Sequence, residues 1–93
     1  MNIFSSLRVY AGKWMLKETR AFSQEEQDAI SSATVVASQY GNSVCFMMKS
    51  GGQTFIPLDQ SSSLGVGESV DLSKAELITL GKQGENDIFR VRA

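Results

Sequence analysis

Between residues 33 and 58, short runs of β-branched, aromatic and long apolar residues are separated by two glycine-bearing breaks. That spacing favours an antiparallel meander over any helical arrangement. The runs are Ala33–Tyr40, Ser43–Lys49 and Gln53–Leu58; the breaks are Gly41-Asn42 and Ser50-Gly51-Gly52. Pro57 lacks an amide donor, so the third run is an edge strand or ends there. Further on, Val70-Asp71-Leu72, Glu76–Leu80 and Asp87–Arg92 also read as strands, with loops at 59–67 and 81–86.

Strand pairing decides which side chains face water. A two-residue turn at Gly41-Asn42 sets Ala37 opposite Phe46 and Val35 opposite Met48. Val35, Ala37, Val44, Phe46 and Met48 then form a core face. A three-residue turn at Ser50-Gly51-Gly52 sets Phe46 opposite Ile56 and Met47 opposite Phe55, adding Thr54, Ile56 and Leu58 to the core. A two-residue Gly51-Gly52 turn would exchange the two faces. We adopt the three-residue form because it gives one aliphatic face. It leaves Tyr40, Met47, Lys49, Phe55 and Pro57 outside. In the last strand Phe89 and Val91 alternate with Ile88, Arg90 and Arg92, so the arginines fall outside as well.

The first third of the chain is different. Ile3, Phe4, Leu7, Tyr10, Ala11, Trp14 and Met15 recur at helical spacing, although Gly12 weakens a helix there by about 1 kcal/mol. Two short strands around Ala11-Gly12 are the alternative. Residues 1–22 are thus a basic amphipathic segment, bearing Arg8, Lys13, Lys17 and Arg20 against Glu18. Ser23 followed by Glu26 is a capping-box pattern, which predicts a short helix within 23–31, at 24–31. Residues 33–93 form the β-rich body of a single domain, 1–93.

The composition removes several chemistries. There is no His, so triad catalysis of the Ser-His-Asp or Cys-His kind has no imidazole, and the common catalytic zinc sites lose their usual ligand. The single cysteine, Cys45, fits a reducing compartment, so a cytoplasmic location is expected. No signal peptide or membrane-length apolar run is evident. No phosphate-loop, cation-loop or cofactor motif is found; no enzyme, cofactor or metal is expected. A net charge of −1 argues against duplex-DNA binding.

The expected fold is α+β and mostly antiparallel β: a small, five- to six-stranded, partly closed barrel with one or two short helices. Its layout resembles, at fold level, OB-like and SH3-like small barrels. The expected function is a non-enzymatic binding module, serving protein–protein interaction or assembly with a protein partner or a second copy. It would dock through Ile3, Leu7, Tyr10 and Trp14, or through an unprotected sheet edge. The alternative is single-stranded nucleic acid on an aromatic and basic sheet face. Tyr40, Met47, Phe55, Lys49, Arg90 and Arg92 would be the binding residues, with bases stacking on rings for about 1–3 kcal/mol each.

Overall fold

A computed structural model of the chain describes residues 18–39, 41–83 and 85–93. In chain order these form β1 (Glu18–Ala21), α1 (Gln24–Ala29), β2 (Ile30–Ser38), β3 (Gly41–Met48), β4 (Gln53–Pro57), β5 (Glu76–Gln83) and β6 (Asn86–Arg92). They make two three-stranded antiparallel sheets, β2-β3-β4 and β1-β5-β6. The mostly antiparallel class with one short helix is as the sequence indicates. Among the described residues the strands close no barrel. The sheets instead meet at a parallel bridge between Leu58 and Val91, where the Asp59 amide donates to the Val91 carbonyl at 2.7 Å.

The helix begins as the capping-box pattern requires. The Ser23 hydroxyl accepts from the Glu26 amide at 3.1 Å, and the Glu26 carboxylate accepts from the Ser23 amide at 2.8 Å. It ends two residues earlier than 31, because Ile30 turns extended and enters β2 with its side chain buried. A β-branched residue gains more from a core-facing strand position than from a frayed last turn. The Arg20 guanidinium reaches from β1 to the same carboxylate, pairing both its oxygens at 2.8 and 2.7 Å. Glu26 is 4% exposed, so its charge is held almost entirely by these donors.

The hairpin registers differ from expectation by even steps. Phe46 lies opposite Ala33 rather than Ala37, because the β2–β3 ladder closes with Ser38 paired to Gly41. Gly41, at φ +112°, is the first residue of β3 rather than a turn residue. Ala37 is consequently exposed beside Asn42 instead of in the core. In the next hairpin Ile56 meets Val44, not Phe46, and Phe55 meets Cys45, not Met47. The loop is three residues long but runs 49–51, closing with Gly51 at φ +103°, a conformation that suits glycine. Because side chains alternate with period two, an even slip leaves each residue on its assigned face.

The main core joins both sheets: Phe22, Ile30, Ala33, Val35, Val44, Phe46, Ile56, Val70, Ala75, Leu77 and Val91 are buried together. The Phe22 and Phe46 rings pack at 5.8 Å between centroids. Residues 70–72 do not form a strand. Asp71 instead accepts from the Ser73 amide and hydroxyl, a local turn that competes with strand pairing. Just before it, residues 67–70 run along the free side of β2, with Val35 donating to Glu68 and Val70 donating to Ala33, both at 2.9 Å. That covers one sheet edge.

Burial alone would raise the Glu26 carboxyl, but the Arg20 guanidinium and the Ser23 amide outweigh it and hold the group below its ordinary value. A folded value below the unfolded one stabilises the protein fully above the ordinary glutamate range. That contribution is lost as pH falls through the lowered value. Arg20→Met should cost about 2–3 kcal/mol at neutral pH, less than a fully buried pair because Arg20 is partly exposed. It should also flatten this acid dependence. Urea titrations at neutral and acidic pH would check both, and equal acid sensitivity in the two proteins would contradict the assignment.

Candidate functional site

Backbone hydrogen bonding identifies which edge is open. The Leu58 amide donates to the Asn42 carbonyl, and the Met48 amide to the Gly52 carbonyl. Antiparallel pairs alternate, so Thr54, Ile56 and Leu58 spend their peptide groups on β3, while Gln53 and Phe55 point theirs toward β6. β4 lies against β6, and the one backbone bridge at this seam among the described residues is Leu58–Val91, just past the end of β4. Among the described residues, no backbone hydrogen bond fills the Gln53 and Phe55 positions on that outer side.

Side chains along the same seam are apolar and exposed. Phe55 is 57% exposed and Ile88 38%; with Val66 they are the large apolar residues most open to solvent among those described. The Leu58–Val91 bridge puts Pro57 beside Arg90 and, one pleat repeat further back, Phe55 level with Ile88. Both Leu58 and Val91 pack inward, so Phe55, Pro57, Ile88, Arg90 and Arg92 project from the opposite, outer face. Behind Phe55 on that face stand Cys45, a half-buried free thiol, and Met47, whose sulfur accepts from Gln53 at 3.2 Å. The open region is the seam rather than the whole outer face, since Ile78, between Thr19 and Arg90, is fully buried.

A cleft of about 210 Å³ lies where the seam ends. Its walls include Asn42, Pro57, Asp59, Ser62, Leu64 and Arg90. The floor is fixed by short hydrogen bonds: Ser62 donates its amide to the Asp59 carbonyl at 3.0 Å and accepts from the Ala93 amide at 3.0 Å. The Asp59 carboxylate accepts from the amide and hydroxyl of Ser61.

The expected binding residues are thus partly gathered. Met47, Phe55 and Arg90 share the outer face around the seam. Arg92 projects there too, but its Nε and Nη2 are bound to Glu76 Oε1 at 3.1 and 2.7 Å. Lys49 sits apart in the β3–β4 turn, its amide bonded to Ala29. Tyr40, Ile3, Leu7, Tyr10 and Trp14 lie outside the described residues. Neither Ile88 nor the cleft is among the residues expected from the sequence to bind. The alternation of β6 already placed Ile88 outward, whereas the cleft depends on the chain folding back after Pro57, which no local pattern marks. No group of three or more His, Cys, Asp or Glu among the described residues is placed to hold a metal ion, and no described helix is long and apolar enough to cross a membrane.

The two phenylalanines of the central hairpin test this facing. Phe46→Ala should cost about 3–5 kcal/mol, because its ring is fully buried. Phe55→Ala should cost less than about 1 kcal/mol. Chemical denaturation of both variants measures the difference, and similar losses would place Phe55 in the interior. No family model, curated protein or solved structure matches this chain.

Proposed function

We propose that this chain is a non-enzymatic protein-interaction module that receives its partner at the β4 side of the seam. The observation that carries the reading is a large aromatic ring, Phe55, more than half exposed on a strand whose outward peptide groups have no described partner. A partner strand added there gains backbone hydrogen bonds from the edge and burial from Phe55 and Ile88. The lack of histidine supports a binding role over hydrolytic chemistry. We read the two bridged sheets as an opened form of the OB-like or SH3-like small-barrel layout, working in a reducing cytoplasm where Cys45 stays free.

The nucleic-acid alternative has less support. Base stacking needs cations interleaved with rings, and here Arg92 is already paired with Glu76 while Lys49 stands at the far turn.

Replacing Phe55 by the photo-cross-linker p-benzoylphenylalanine tests the reading in cells that express the chain. A discrete protein adduct is expected from position 55, with none from the same group at the exposed turn residue Ser73. The adduct mass distinguishes a second copy from another protein. Identical adduct patterns at the two positions, or saturable binding of labelled oligo(dT) that Phe55→Ala abolishes, would contradict it.

A further inference from the structure

The three described arginines are not equivalent. Arg20 is paired with Glu26 and Arg92 with Glu76, but the Arg90 guanidinium makes no ion pair or hydrogen bond among the described residues. It is nonetheless half-buried, and it lines the cleft that ends the β4–β6 seam. A guanidinium at a cleft with no carboxylate among the described residues bound to it keeps its fork of N–H donors available. An incoming carboxylate can take two parallel hydrogen bonds from it. Asp59, in the same cleft, has its carboxylate engaged by Ser61.

We infer that the partner is an extended peptide bearing a carboxylate, which Arg90 receives in the cleft while the peptide backbone pairs with the outer edge of β4. This rests on the interaction reading given above and narrows it to an acidic segment with apolar neighbours. The geometry fits an extended chain. Phe55 and Pro57 are two residues apart, about 7 Å along the strand, so a peptide paired at Phe55 reaches Arg90 within its next two residues. Phe55 and Ile88 offer apolar contact to the preceding positions. The cleft, at about 210 Å³, is smaller than an ordinary ligand pocket and suits one side chain or chain end. A carboxylate of either origin, a Glu or Asp side chain or a C-terminus, meets the same chemistry.

The test uses the full chain, ¹⁵N-labelled, and three short probes of alternating valine and threonine. The first has a central Glu and an amidated end, the second a central Gln and an amidated end, the third a central Gln and a free carboxyl end. Amide shifts at Gln53 and Phe55 report edge pairing, and the Arg90 Nε signal reports the cleft. The expected result is binding of the first or third probe about five- to tenfold tighter than the second, with the Arg90 signal moving. Arg90→Gln should remove that preference while leaving the shifts at Gln53 and Phe55. Preference for the first over the third identifies a side-chain carboxylate, and the reverse a chain end. Equal binding of all three at β4 overturns the carboxylate assignment and leaves the interaction reading standing. Absence of any shift at β4 overturns both, as does tighter binding of oligo(dT) through Arg90.

Discussion

The parallel bridge between Leu58 and Val91 is the contact on which the rest of the surface depends. It is a small feature, one bridge and an Asp59–Val91 hydrogen bond. Yet it sets two separate antiparallel sheets side by side with their pleats in phase. With Val91 fully buried and Leu58 packed on the core, the pleat leaves Pro57 and Arg90 no choice but the outer side. Phe55 and Ile88 follow by alternation. Without that bridge the exposed Phe55 ring and the Arg90 guanidinium would belong to unrelated surfaces.

The two edges of the β2-β3-β4 sheet are not equally defended against other chains. β2 has its free side occupied by residues 67–70, which spend their own peptide groups on Val35 and Ala33. β4 has only Pro57 and the bridge at one end, leaving Gln53 and Phe55 uncovered among the described residues. Natural proteins usually blunt a bare edge with lysine, proline or a covering loop. Covering one edge while leaving an aromatic at the other is the arrangement expected of a strand that accepts a partner. Stability is supplied elsewhere, by the Phe22–Phe46 contact, the shared aliphatic core and the capped helix that anchors Glu26 against Arg20.

What could be read from residues alone was the alternation. Val35, Val44, Phe46, Ile56 and Val91 on one side and Phe55 and Arg90 on the other follow from period-two patterning, and they survive pairing errors of an even number of residues. The Ser23–Glu26 capping box was equally legible because it is local. The partners themselves were not. Gly41 looks like a turn residue, but its positive φ serves the start of β3. Asp71 and Ser73 prefer their own turn to a strand. Arg20 as the counterion of Glu26, and the cleft around Asp59 and Ser62, are tertiary outcomes with no signature within a short window.

Amide hydrogen exchange along β4 reports directly on whether this edge is open. The account predicts alternation: slow exchange at Thr54, Ile56 and Leu58, whose amides are committed to β3, slow exchange at Asp59, bonded to Val91, and fast exchange at Gln53 and Phe55. Protection at Phe55 as strong as at Ile56 in the isolated protein would mean the edge is already filled, and the proposed receiving surface would not exist.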